Sequence, residues 1–284
     1  MVAESSGTVV VGVDGSHEAL LAAEVAAGWA ARTASPLHIV HVWVWPLYTA
    51  NVGPIEGVKD SGLKRAAEEV LEAATERARA SAPDITITTD LVSGKASEEL
   101  LRASVGAAAV VVASRGVGGF AGLLLGSTGL FLQTYAQCPV LIVRGTGDPR
   151  GPIVAGFDGS PASERLVEHT AGVAAQADRP LVLVHSYPSG SMAEGSQAAD
   201  EPSPETLLEQ GQQIALRTAP DITVSTRAVE HRSAAGALVE ASDDASLVAV
   251  GPRARGHVRG SIGSTAQAVI QHASCPVLLV KERD

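Results

Sequence analysis

The chain contains one series of motifs twice. Four short motifs recur in the same order and at nearly the same spacing. They are VVGVDGS at 10–16 and VAGFDGS at 154–160, PLHIVHVWV at 36–44 and PLVLVHSY at 180–187, APDITITT at 82–89 and APDITVST at 219–226, and CPVLIV at 138–143 and CPVLLV at 275–280. A period of about 140 residues that occurs twice indicates tandem domains rather than a solenoid. We predict domains at 1–146 and 151–284, joined by the turn-forming sequence RGTGDPRG at 144–151.

Each half alternates β-branched runs with longer alanine-rich stretches, which is typical of βαβ units. In the first half, the sequence predicts strands near 8–13, 37–44, 85–91, 108–113 and 139–143, and helices over 17–33, 61–81, 97–106 and 127–136. Runs such as TVVVGV are apolar on both sides, as buried parallel strands are. We therefore expect an α/β fold of two tandem doubly wound domains. Each would be a five-stranded parallel sheet of order 3-2-1-4-5 with helices on both faces.

Composition narrows the function classes. A formal net charge of −10 argues against a general binder of nucleic acid or anionic membranes. We expect a cytoplasmic protein, because no apolar run reaches the length of a membrane span and the N-terminus lacks a secretory signal pattern. The two cysteines, Cys138 and Cys275, are expected to be small buried thiols. The segments 45–60 and 187–205, rich in turn-forming residues, are expected to be surface loops, with a lid over a ligand as one alternative.

A glycine-rich loop follows the fourth predicted strand. Residues 116–129 contain six glycines, and Gly126, Ser127 and Thr128 then open a helix. Glycines let backbone N–H groups approach a polyanion, and the N-terminus of a helix attracts anions. In the expected strand order this loop lies beside the VDGS turn at the switch point, where doubly wound sheets bind ligands. The loop is not a Walker A motif, because no GK[ST] occurs, and GVGGFAG does not fit the dinucleotide fingerprint.

These motifs together resemble the universal stress proteins, over both halves nearly end to end. The resemblance implies ATP binding, with Mg²⁺, through Gly, two residues, Gly, nine residues, then Gly-Ser or Gly-Thr. Gly116, Gly126 and Ser127 fit this pattern, and Ala113 replaces its first glycine. The binding residues implied in the first half are Gly12, Val13, Asp14, Val42, Gly94, Ala113, Arg115, Gly116, Gly126, Ser127 and Thr128. In the second half they are Gly156, Phe157, Asp158, Gly251, Arg253, Gly263, Ser264 and Thr265.

The second glycine loop departs further from the pattern. Ala254 stands where the second glycine would be, and only eight residues separate it from Gly263. Positive charges lie in the same stretch, at Arg253, Arg255, His257 and Arg259. We expect the first half to be the better ATP site.

Several of these residues also have a simpler, purely structural interpretation. Asp14 and Asp158 are also ordinary turn residues in DGS, a role compatible with a pocket position. His41 and His185 recur at one strand position, where packed, hydrogen-bonded side chains are expected rather than ligands or bases. Ser127 can cap its helix or donate to phosphate. No sequence motif indicates a nucleophile or a metal hydrolase, and no catalytic residue is predicted.

The leading hypothesis is an ATP-binding regulator of stress response or growth. The alternatives are a slow Mg²⁺-dependent ATPase or phosphotransferase using Asp14, a nucleotide-free interaction scaffold, and a cyclic-nucleotide binder. Each CPVL(I/L)V strand is apolar, and an apolar edge strand favours pairing. Pairing of the two strands within one chain would give a pseudo-twofold, and the resemblance favours such contacts as well as a homodimer with pseudo-twofold contacts through the last strands. The net charge of −10 gives no reason to expect nucleic-acid or membrane partners.

Overall fold

A computed structural model describes residues 7–43, 62–116, 125–188, 202–251 and 262–281. The chain divides into two compact units, Met1–Val143 and Arg144–Asp284. Residues 144–151 open the second unit as a series of turns, in which the Gly151 N–H donates to the Asp148 carbonyl at 2.9 Å.

The first unit alternates strands and helices along the chain. Its elements are β1 (Val9–Val13), α1 (His17–Arg32), β2 (Leu37–Trp43), α2 (Gly62–Ser81), β3 (Ile87–Ser93), α3 (Ala96–Ala103), β4 (Ala109–Ala113), α4 (Ser127–Tyr135) and β5 (Val140–Val143). All the strand pairs are parallel, and the order is β3-β2-β1-β4-β5. This confirms the expected doubly wound α/β fold.

The second unit repeats the arrangement. Its elements are β6 (Ile153–Gly156), α5 (Pro161–Ala177), β7 (Leu181–Tyr187), α6 (Pro204–Thr218), β8 (Val224–Glu230), α7 (Ala234–Ala241), β9 (Leu247–Val250), α8 (Ser264–His272) and β10 (Val277–Leu279). The parallel pairings give the order β8-β7-β6-β9-β10.

Burial explains why the inner strands are apolar along their whole length, whereas the outer strands β3 and β8 are partly exposed and carry polar side chains. Val9, Val10 and Val11 of β1 are all buried, although successive side chains of a strand point to opposite faces. The sheet is therefore covered on both faces. Helix α1 presents alanines to this core, including Ala22, Ala23 and Ala26. Small side chains let a helix axis lie close to the sheet, which agrees with the low aromatic content of 3%.

The boundaries differ from the prediction mainly after α3. This helix ends at Ala103, whereas the sequence predicted helix to 106. Gly106 adopts a left-handed φ of 74°, which interrupts the helix before β4. The predicted loop at 45–60 and most of that at 187–205 lie outside the described residues. At the edges of the latter, β7 continues to Tyr187 and α6 begins at Pro204.

Both cysteines are buried thiols, as expected. Burial raises the pKa of the Cys275 thiol from 9.0 to about 12, because the thiolate would lose its hydration. Between these two values the unfolded chain releases a proton that the folded chain retains. Stability from this group is therefore fully present below pH 9 and declines as the pH rises toward 12.

Alkaline unfolding tests this effect. From pH 8 to pH 10, wild type should lose about 1 kcal/mol of unfolding free energy more than Cys275→Ala, which lacks the titrating group. Urea unfolding at both pH values measures the difference. Equal losses in the two proteins would contradict the raised pKa.

Among the described residues, no helix combines the length and apolar character needed to cross a membrane.

Candidate functional site

The strand order reverses at the same place in both units. In the first unit β2 lies on one side of β1 and β4 on the other, and β7 and β9 flank β6 in the same way. The carboxyl ends of parallel strands share one edge of the sheet, and ligands bind there in open α/β folds. Most of the predicted site residues lie in the last positions of these strands or in the loops that follow them.

The DGS sequence forms the turn after the first strand of each unit. In the first unit, Gly15 has a left-handed φ of 85°, and the Asp14 Oδ1 accepts from the Ser16 N–H at 3.0 Å and from its hydroxyl at 2.6 Å. Ser16 then caps α1, because its Oγ accepts from the Ala19 N–H at 3.1 Å. The turn role expected of Asp14 is therefore present, at the edge of the sheet where a ligand would bind.

The second unit repeats this turn. Gly159 has a φ of 71°, and Asp158 Oδ1 accepts from the Ser160 N–H at 3.0 Å. Ser160 caps α5 by accepting from the Ser163 N–H at 3.2 Å.

The first glycine loop is held at both ends. The Gly126 N–H donates to the Ser114 carbonyl at 2.8 Å, which closes the base of the loop. Gly116 lies against the Asp14 carboxylate so closely that a β-carbon at 116 would collide with it. This close approach explains a glycine here, and it joins two of the predicted site residues. Residues 117–124 lie outside the described part of the chain.

Helices α4 and α8 both begin with a glycine N-cap. Gly126 precedes α4 and Gly263 precedes α8, each with extended backbone angles. A glycine has no side-chain oxygen to accept from the first-turn N–H groups, so those donors remain suited to an anion. Ser127 is the first residue of α4 rather than its cap, which removes capping from the two roles expected of its hydroxyl.

A cavity of about 550 Å³ lies at the switch point of the second unit. Seven of the predicted residues line it: Gly156, Phe157, Asp158, Gly251, Gly263, Ser264 and Thr265. The predicted Arg253 lies outside the described residues, as do Ala254, Arg255, His257 and Arg259.

The sequence prediction missed the helical walls of this cavity. Leu166 of α5 and Leu238 of α7 line it, together with Val184 and Ser186 at the end of β7. Ser186 follows His185 as Val42 follows His41, so the strand repeat was the signal available for Ser186. The leucines carried no separate signal, because they are ordinary core residues of amphipathic helices.

Most of the remaining predicted residues of the first unit lie at or just after the ends of its strands. Gly12, near the end of β1, faces Leu100 of α3, whose Cδ1 would lie 2.5 Å from a β-carbon at 12. Val42 pairs with Val92 on β3. Gly94 begins the turn after β3, where a β-carbon would lie 2.6 Å from the Glu99 Oε1. Ala113 ends β4, Arg115 is exposed, Thr128 is half-buried in the first turn of α4, and Val13 ends β1.

The two strand histidines make the same contact. His41 Nδ1 lies 2.8 Å from the Val13 carbonyl oxygen, and His185 Nδ1 lies 2.8 Å from that of Phe157. The expectation of hydrogen-bonded histidines is confirmed. Each bond connects the end of the second strand of a unit to the residue just before the DGS aspartate.

The second-unit cavity combines two chemical environments. Leu166, Val184 and Leu238 provide apolar walls, whereas Ser264 and Thr265 lie at the N-terminus of α8. Such a cavity can hold a ligand with a flat apolar part and an anionic part. Within the part of the chain that the structure describes, no three His, Cys, Asp or Glu side chains are grouped so as to hold a metal ion.

Comparisons with known proteins agree with the repeated fold. The universal stress protein family model matches residues 6–144 and again 149–281. A universal stress protein of Mycolicibacterium smegmatis is 33% identical, with 97% of each chain covered. One from Mycobacterium tuberculosis is 31% identical, over 98% of this chain and 97% of its own. The crystal structure of a universal stress protein from Archaeoglobus fulgidus has a TM-score of 0.71 at 20% identity, covering 99% of this chain and 98% of that one.

Proposed function

Because the chain belongs to the universal stress protein family, we propose that it binds ATP and acts as a nucleotide-dependent regulator of stress response or growth in the cytoplasm. Under this proposal residues 1–146 and 151–284 are two nucleotide-binding domains, of which the second has the more degenerate glycine loop. The observation that carries the proposal is the cavity at the second switch point.

The cavity fits an adenine nucleotide in size and chemistry. Its volume of about 550 Å³ is within the roughly 300–1,000 Å³ typical of small-molecule sites. The apolar walls suit a base, and the start of α8 suits phosphates. Asp158 lines the same cavity, and a carboxylate is a natural acceptor for ribose hydroxyls.

We propose that the ATP binds together with Mg²⁺. This ion is usually held by substrate phosphates and water with one or two carboxylates, rather than by a dedicated protein cage. Asp14, directly after β1, is the carboxylate that the ATPase alternative would use for such a role.

Mass spectrometry of nucleotide released from freshly purified protein is the direct test. ATP in the released fraction supports the proposal, and a cyclic nucleotide there would show that the chain is a cyclic-nucleotide binder instead. Protein that carries no nucleotide and shows no affinity for ATP would instead favour the scaffold function. Phosphate release over many turnovers that Asp14→Asn abolishes would favour an ATPase.

Binding should also stabilise the fold. Free Mg-ATP at ten times its Kd adds about 1.4 kcal/mol to a unit that binds only when folded. That corresponds to a rise of roughly 3–6 °C in melting temperature. Differential scanning fluorimetry with Mg-ATP measures the rise, and the same Mg²⁺ concentration without nucleotide is the control. No shift at millimolar Mg-ATP would count against the proposal.

We further propose a homodimer formed through the last strands of the units. Strands β5 and β10 are the last strands of the two units, and their sequences VLIV and VLL are apolar, a composition that favours strand pairing. Light scattering after size-exclusion chromatography tests this, and a monomeric mass at working concentrations would contradict it.

A further inference from the structure

The His185 ring lines the cavity of the second unit and has a defined tautomer. Its Nδ1 is 2.8 Å from the Phe157 carbonyl oxygen, and His185 also lines the cavity. A carbonyl oxygen can only accept, so Nδ1 must carry the proton. In the neutral ring, Nε2 is then a hydrogen-bond acceptor. One backbone contact therefore fixes both the orientation of the ring and the tautomer.

The first unit contains the same arrangement. His41 Nδ1 donates to the Val13 carbonyl at 2.8 Å, and His41 is paired in register with Val13. His41 is buried and His185 is half-buried. In both units the fixed ring is two residues before the end of the second strand, and its carbonyl partner directly precedes the DGS aspartate.

We propose that His185, and His41 in the first unit, use Nε2 as a fixed acceptor that selects nucleosides carrying an N–H or O–H donor at that point. Two donors of an adenine nucleotide have this chemistry: the 6-amino group of the base and a ribose hydroxyl. The inference rests on the proposed function, since it assigns specificity within the same site.

The fixed tautomer also determines what is rejected. A 6-oxo group in place of the 6-amino group would set a carbonyl lone pair against the Nε2 lone pair. A missing hydroxyl would leave Nε2 without a partner in a partly desolvated site. Sites built to hydrogen-bond a substrate donor discriminate strongly against analogues that lack it. Phosphate oxygens are also acceptors, so this ring favours the nucleoside, and the start of α8 favours the phosphates.

The test compares nucleotides on the full chain. Calorimetry gives the Kd of ATP, inosine triphosphate, 2′-deoxy-ATP and 3′-deoxy-ATP for wild type, His185→Asn, His41→Asn and the double variant. An asparagine side chain keeps an N–H donor near the position of Nδ1 but lacks Nε2. His272→Asn, at the exposed end of α8, is the matched control. Melting temperatures confirm folding, and His185→Asn alone suffices if the buried His41 does not tolerate replacement.

Wild type should bind ATP at least tenfold more tightly than one of the three analogues, and the variants should reduce that ratio to under threefold. If the variants lose the preference for ATP over inosine triphosphate, the 6-amino group is the donor that Nε2 binds. If they lose the preference for ATP over a deoxy analogue, the donor is the hydroxyl that this analogue lacks. Wild type without selectivity, or folded variants with unchanged ratios, would overturn this inference while ATP binding stands. Absence of any nucleotide binding to wild type would overturn the proposed function and this inference together.

Discussion

Replacing Gly126 with valine should weaken ATP binding in the first unit at least tenfold, or about 1.4 kcal/mol of binding free energy. The branched side chain would stand where phosphate is expected to meet the start of α4. The fold should survive, because among the described residues beyond its chain neighbours a β-carbon at 126 would meet only the Ser114 carbonyl oxygen within 4 Å, at 3.8 Å. The extended backbone at 126, with φ −69° and ψ 155°, also suits valine. Calorimetric titration measures the loss, and circular dichroism measures the helix content.

Gly263→Val is the matched variant in the second unit, since Gly263 is the N-cap of α8. Its effect should be smaller, because the sequence of the second loop already departs from the ATP-binding pattern. If Gly263→Val removes most of the binding and Gly126→Val little, the second unit is the principal site and our ranking is wrong.

Leu238→Ala should destabilise the second unit by about 2–5 kcal/mol. Leu238 is 3% exposed, and its Cδ1 would lie 3.1 Å from a β-carbon at Gly156. Truncation removes buried methyl groups and enlarges the space beside an existing cavity, where the structure can collapse little. The two units need not unfold in a single transition, so the free energy of unfolding is measured for each unit separately. Native-state amide hydrogen exchange in β6 gives it for the second unit.

Leu130→Ala provides the control for this substitution. Leu130 is 44% exposed on α4, so the same change should cost less than about 0.5 kcal/mol. Exchange in β1 of the first unit should be unchanged by Leu238→Ala. Unchanged exchange in β6 would show that Leu238 does not support the strand beside the cavity.

The sequence was sufficient for the fold because its signals are local and repeated. VVVGV and LHIVHVW read as buried parallel strands without knowledge of their neighbours, and the second copy of each pattern gave an independent check. The end of α3 was predicted too late, since its termination depends on a left-handed glycine at 106 that closes a turn into β4.

The site was only partly predictable. Its strand-end residues follow from topology, because parallel strands of a doubly wound sheet bring their carboxyl ends together. Leu166 and Leu238 could not be singled out, because a leucine that lines a cavity and one that fills a core have the same pattern in sequence. The contact of His185 with the Phe157 carbonyl likewise depends on strand register, which the motif alone does not specify.

The contact between Gly116 and the Asp14 carboxylate has an evolutionary consequence for the first unit. Because a β-carbon at 116 would occupy the space of that carboxylate, neither position can change without altering what the other tolerates. A larger residue at 116 becomes acceptable only after the side chain at 14 has shortened or turned away. The two positions are therefore epistatic, and a lineage that loses the aspartate is released from the requirement for glycine 102 residues further along the chain.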